Sequence, residues 1–157
     1  MKLLEGRLIN VSNRLPVEVK NRNGAPRLSR SAGGLATALD SIWRYCHGFW
    51  IGWAGAAESE AANTLLAKAS RGRSYSFKPV PLSRDEISKF YSGFANEIIW
   101  PLFHDMPSRC NFDPEYWEVY QRVNRRFAQA AAEVTNGHDL IWAHDYHLML
   151  KIGRAHV

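Results

Sequence analysis

Four short stretches carry residue types that could recognise anions and hydroxyl-rich ligands. In SNRLPV, Ser12 to Val17, Arg14 follows directly on a short apolar run. The carboxyl ends of parallel strands are where α/β sheets bind ligands, and a guanidinium there can grip a phosphate with its planar fork. In SAGGLATAL, Ser31 to Leu39, Gly33 and Gly34 precede a helical pattern. Two glycines let backbone N–H groups approach an anion, and a helix start adds a favourable dipole. In FYSGFANEIIWPLFH, Phe90 to His104, Tyr91 and Trp100 offer flat rings to a sugar, and Tyr91 adds a hydroxyl. In HDYH, residues 144–147, Asp145 stands just past an apolar run, where a carboxylate can accept hydrogen bonds from sugar hydroxyls.

Taken singly, each stretch has a plainer explanation: a solvated arginine, an ordinary turn, core aromatics with satisfied polar tips. SAGG matches neither a Walker loop nor GxGxxG. His144 and His147 with one aspartate fall short of a metal pattern, and there is no HExxH, cysteine cluster or Asp-x-Asp pair. No metal and no cofactor is expected.

The elements that must hold these residues alternate strand and helix, which predicts an α/β fold. Leu8, Ile9 and Val11 read as a first strand. Pro16 to Arg30, with Asn23-Gly24 and Pro26, reads as a loop or a small hairpin. Leu35, Leu39, Ile42 and Trp43 recur at helical spacing. FWIGWAG reads as a buried strand, residues 59–70 as a helix stopping before Gly72, and SYSFKPV as a strand. Ser83 and Glu86 fit a capping box, so a helix should start there and break near Gly93 or Pro101. Asp113-Pro114 starts another helix with Trp117, Tyr120, Val123, Phe127, Ala131 and Val134 on one face, ending at Asn136-Gly137. LIWA, apolar throughout, is expected to be a parallel strand covered on both faces.

The totals narrow the class. The 157 residues suffice for one domain with a real core, and 46% hydrophobic with 22% charged residues is ordinary globular composition. No apolar run approaches the roughly 20 residues that span a bilayer, and Glu5 and Arg7 interrupt any signal-peptide core. Cys46 and Cys110 are too few for a disulfide framework, which favours a reducing cytoplasmic setting. The net charge of +5 is dispersed, without the basic stripe that tracks nucleic acid.

The order of the segments is more specific than any one of them. SNRLPV, SAGGLATAL, the WIGWAG strand, WPLFH, WEVYQRVNRRFA and IWAHDYHLML together resemble the trehalose-6-phosphate synthase family over residues 7–150. The resemblance implies a retaining transferase that moves glucose from UDP-glucose to glucose 6-phosphate without a metal. It implies the Rossmann-like N-terminal half of a glycosyltransferase B-type two-domain fold, with residues 1–150 an incomplete acceptor-side domain. Arg14 then matches the arginine on the acceptor phosphate, and Tyr91 and Asp145 match acceptor-binding residues. Trp100 matches the tryptophan linked to choice of acceptor anomer, and Gly33 and Gly34 match the glycines near the donor diphosphate. The family's leaving-group arginine and lysine belong to a second domain, and a further histidine to a later strand, so the chain alone is expected to be inactive. A homo-oligomeric full-length enzyme is compatible with this reading. Two alternatives stay open: a glucosylglycerol-phosphate synthase-like transferase and a non-catalytic regulatory subunit.

KIGRAHV, residues 151–157, departs from the family pattern. One nucleotide spelling, AAG ATC GGA AGA GCA CAC GTC, reads from its second base as the start of a common short-read sequencing adapter. This segment is therefore expected to be a non-native tail and is kept out of the functional reading.

Overall fold

The computed structural model describes residues 6–22, 25–31, 34–55 and 59–151. The expected tail, beyond the backbone of Lys151, and Gly33 lie outside the described residues.

Four strands make a parallel sheet: β1 (Leu8–Arg14), β4 (Gly48–Trp53), β5 (Tyr75–Pro79) and β6 (Leu140–Ala143), in the order β5-β4-β1-β6. β2 (Val17–Arg22) and β3 (Ala25–Arg30) pair as an antiparallel hairpin, so the segment read as a loop or a small hairpin forms a hairpin of two six-residue strands. The chain builds the sheet outward from β1 through β4 to β5, then crosses back to set β6 on the other side of β1. That reversal is the topological switch point of a doubly wound sheet, and it leaves a crevice beyond the carboxyl ends of β1 and β6. SNR and HDYH sit at those two ends.

Strand periodicity divides the core. Leu8 and Trp50 face one layer with Ala36, Leu39, Trp43, Ala62, Leu66 and Tyr75. Ile9, Val11 and Ile51 face the other with Phe90, Tyr120, Val123 and Phe127. The first layer comes from α1 (Gly34–Leu39) and α2 (Glu60–Ser70), the latter capped by Ser59 and ending before Gly72. The helical spacing from Leu35 to Trp43 is interrupted: α1 stops at Leu39 and a separate 3-10 turn spans Ile42–Arg44.

The second layer departs in places from the sequence expectations. The capping box forms as expected, with Ser83 Oγ accepting the Glu86 N–H and Glu86 accepting the Ser83 N–H. The helical path then runs on through Gly93 and ends two residues past Pro101, as α3 (Arg84–Glu86), a π-helical segment (Ile87–Ile99) and α4 (Trp100–Phe103), so of the two expected break points only the one near Pro101 is met. Proline breaks a helix because it lacks an N–H and crowds the carbonyl four residues back. Here the wider π register carries Trp100 N–H to Ala95 O. The Glu97 carbonyl, four residues before Pro101, accepts the Asn111 N–H at 3.1 Å instead. Gly93 is buried against α5 (Pro114–Ala132), where a Cβ would stand 2.9 Å from the Tyr116 ring. It therefore permits close helix packing.

α5 begins as expected, with Asp113 accepting the Glu115 N–H at 2.9 Å, but its regular helix ends at Ala132, before Asn136. Trp117 is exposed, while Tyr120, Val123, Phe127 and Ala131 are buried. β6 is the edge of the described sheet, and Leu140 (47% exposed) and Trp142 (41%) are not covered among the described residues, where burial on both faces was expected.

Candidate functional site

At the switch point the chain surrounds a cavity of about 620 Å³ with Arg14, Ser31, Leu35, Tyr91, Asp145 and His147 among its walls. Arg14, Tyr91 and Asp145 come from three distant parts of the sequence and meet here. Gly34, exposed at the start of α1, does not line the cavity, although its neighbours Leu35 and Ala36 do. Trp100 lies outside as well, 40% exposed and stacked on His104 at 4.1 Å.

Arg14 is placed by the end of β1. The β1–β4 register shifts between Val11 and Arg14. Gly52 makes room for that irregularity, because a Cβ there would lie 2.7 Å from the Arg14 carbonyl carbon and the Leu15 nitrogen. Buried Ser12 fixes the turn: its hydroxyl donates to the Arg14 carbonyl at 2.7 Å and accepts Trp50 Nε1–H at 2.8 Å. The guanidinium lies over the Trp53 ring at 4.8 Å, with Tyr91 at 5.9 Å. One of its nitrogens is 3.8 Å from Glu18, whose other oxygen is 3.0 Å from Lys20. Arg14 thus has aromatic support and only a long ionic contact, leaving donors available to an anion.

Asp145 follows β6 with φ +72°, in the left-handed region that aspartate tolerates better than most residues. Its Oδ1 accepts the Tyr146 N–H at 2.7 Å, and its side chain is half exposed. The turn behind it, Tyr146–Lys151, is tied to α5. Tyr120 Oη donates to the Tyr146 carbonyl, and Asn124 Nδ2 donates to the His147 carbonyl at 3.1 Å. Tyr91, on the π-helical segment, stacks on the His147 ring at 5.3 Å.

The two histidines also shape the wall. His144 Nε2 is 2.6 Å from Oδ1 of fully buried Asn10. Burial holds the His144 pKa below its ordinary value, with Asp145 pulling the other way. Burial lowers His147 too, again against Asp145. Among the described residues, no group of three or more His, Cys, Asp or Glu side chains gathers where it could hold a metal ion. No helix among them is long and apolar enough to cross a membrane.

Asn10, Ser12 and Trp50 were not singled out from sequence. The available signal was polarity at alternate positions, Asn10 and Ser12, interleaved with the apolar Ile9 and Val11 of β1. An uncharged polar residue in a buried strand needs a partner, and these find His144 and Trp50.

Solved structures share this arrangement of elements. A trehalose-phosphate synthase from Burkholderia xenovorans, in complex with glucose-6-phosphate, matches 96% of this chain with TM-score 0.71 and 31% identity. The Escherichia coli protein described as bound with UDP-2-fluoro glucose matches 96% with TM-score 0.71 and 26% identity. In sequence, a bifunctional trehalose-6-phosphate synthase/phosphatase of Thermoproteus tenax is 39% identical over 92% of the chain. A trehalose-6-phosphate synthase of Mycolicibacterium smegmatis is 40% identical over 89%. The chain spans 20% to 30% of the length of these four proteins. Residues 6–152, which include both ends of the switch-point crevice and the helices behind it, match glycosyltransferase family 20, and the chain belongs to that family.

Proposed function

We propose that the chain is the acceptor-side segment of an enzyme that transfers glucose from UDP-glucose to glucose 6-phosphate, giving trehalose 6-phosphate with retention of configuration. The observation that carries this reading is the convergence of Arg14, Tyr91 and Asp145 on one cavity. Arg14 supplies charge-assisted bonds to the acceptor phosphate. Tyr91 offers its ring and hydroxyl, and Asp145 accepts from the sugar hydroxyls. The relatives' trehalose-phosphate synthase names and the glucose-6-phosphate complex support the choice of acceptor. Trp100 as an anomer selector and Gly33 and Gly34 as diphosphate neighbours belong to the same reading, at ligand groups reaching beyond the cavity.

The segment's part in the chemistry is placement. Holding the acceptor against a donor removes much of the entropic barrier. Charge developing on the departing UDP needs preorganised cations, which the reading assigns to a second domain. The 157 residues alone therefore bind acceptor and do not turn over. A cytoplasmic, metal-independent enzyme completes the proposal.

UDP release by the longer gene product tests it. Release should require UDP-glucose and glucose 6-phosphate together. Release with glycerol 3-phosphate instead would make the protein glucosylglycerol-phosphate synthase-like. Sugar-phosphate binding without release would mark a regulatory subunit. Release by the 157 residues alone would overturn the division of labour.

A further inference from the structure

His147 is a polar side chain of the cavity wall whose partner is not obvious. It is 7% exposed and stacks on Tyr91 and, at 4.5 Å, on Tyr146, with Phe90 beyond at 6.3 Å. Nδ1 is 3.3 Å from Asp145 Oδ2, within ion-pair range but not aligned as a hydrogen bond. Nε2 is enclosed without any partner among the described residues.

The surroundings select one form of the ring. Burial disfavours the imidazolium. Of the neutral forms, the Nε2–H tautomer would bury a donor without an acceptor and turn the Nδ1 lone pair toward a carboxylate oxygen. The Nδ1–H tautomer turns a donor toward that oxygen and leaves only an acceptor unmet. Asp145 has a use for that donor. Its Oδ1 is engaged by the Tyr146 N–H, while its half-exposed side chain leaves Oδ2 otherwise unrestrained. Hydrogen bonds in empty sites are often long and tighten when ligand binds.

We propose that neutral His147, as its Nδ1–H tautomer, is the positioning residue that fixes Oδ2 of Asp145 for the hydroxyls of the acceptor. The proposal rests on the sugar-phosphate reading of the cavity. His147 is itself held from behind by the Asn124 bond to its carbonyl.

A simpler role, an aromatic plate between two tyrosines, makes the opposite prediction for a pair of variants. His147→Phe keeps a stacking ring and removes the nitrogen. His147→Asn keeps an amide N–H near the Nδ1 position and removes the ring. Glucose 6-phosphate is titrated calorimetrically into the 157-residue chain and both variants, and thermal melting is followed in parallel. His147→Asn should melt lower than His147→Phe yet bind within about threefold of wild type, while His147→Phe loses about tenfold. Wild-type affinity in His147→Phe, or His147→Asn binding no better than His147→Phe, overturns the proposal. The tautomer is read independently by two-bond proton–nitrogen NMR on the ligand-free chain. A protonated Nδ1 is expected, and a protonated Nε2 overturns the proposal even if His147→Asn fails to fold. Absence of glucose 6-phosphate binding by the wild type would count against the sugar-phosphate reading, while the NMR result still decides the pairing.

Discussion

The phenol of Tyr120 donates a 2.7 Å hydrogen bond to the carbonyl of Tyr146, and the same oxygen accepts the Met149 N–H at 3.3 Å. One fully buried residue of α5 thus closes the turn that follows Asp145. Tyr120→Phe preserves the ring and its packing on Phe94 at 4.4 Å but leaves both backbone groups short of a partner. Stability to urea should fall by about 1–2 kcal/mol. Glucose 6-phosphate binding should weaken about fivefold, because the turn carrying His147 loosens. A stability loss with unchanged binding would show that the turn does not transmit to the cavity.

Arg14 is the natural probe of phosphate recognition. Its guanidinium rests on Trp53 and meets Glu18 only at 3.8 Å. Arg14→Ala should leave the fold intact and lower affinity for glucose 6-phosphate by about 10- to 100-fold, the scale of one or two charge-assisted bonds. Binding of unphosphorylated glucose should scarcely change. Equal losses for both sugars, measured by titration calorimetry, would move the arginine's role away from the phosphate.

The parts of this architecture that depend on local pattern were legible in the sequence. The β1, β4 and β5 strands, the Ser83 capping box and the Asp113-Pro114 helix start all follow from spacing and end chemistry. So did the three residues that meet at the cavity, once the order of segments was considered. The π-helical segment was not legible, because its buried positions Phe90, Gly93, Ala95, Ile98 and Ile99 include ordinary helical spacings and nothing in them marks the wider register. Neither was the tolerance of Pro101, which depends on Asn111 reaching back to Glu97 from outside the helix. In sequence His147 did no more than fall short of a metal pattern, because its place between Tyr91 and Tyr146 is a result of packing.

Gly93 tests the packing that carries Tyr91. Gly93→Ala would put a methyl group 2.9 Å from three atoms of the Tyr116 ring. The ring sits on α5 and is tethered by its hydroxyl to Glu97 at 3.3 Å, so it cannot swing freely. The substitution should cost about 1–3 kcal/mol, as overpacking does. Most of that cost should vanish in a Tyr116→Ala background, a coupling read from a double-mutant cycle of urea midpoints. Additive effects would mean that the helices are not held at this distance by the missing side chain.

The start of β1 makes the strand's stability depend on pH. Arg7 donates to both oxygens of Asp139, at 3.1 and 2.7 Å, and to the Val134 carbonyl at 2.7 Å. The Asp139 side chain is 1% exposed. The Arg7 hydrogen bond outweighs burial and, helped by the Asn136 and Arg7 backbone N–H groups, brings the carboxyl pKa from 3.8 down to about 2. A carboxylate with a depressed folded-state pKa stabilises the fold fully above its unfolded value and loses that contribution as pH falls through the folded one. The window here runs from about pH 4 down to about pH 2, and the loss across it is about 2 kcal/mol. Urea unfolding of the wild type at pH 5 and pH 2 should show that loss in excess of the loss in Asp139→Asn, where the titrating group is gone. The variant should also be less stable at pH 5, since the guanidinium keeps its position but faces a neutral amide. Equal acid sensitivity in both proteins would place the responsible carboxylate elsewhere.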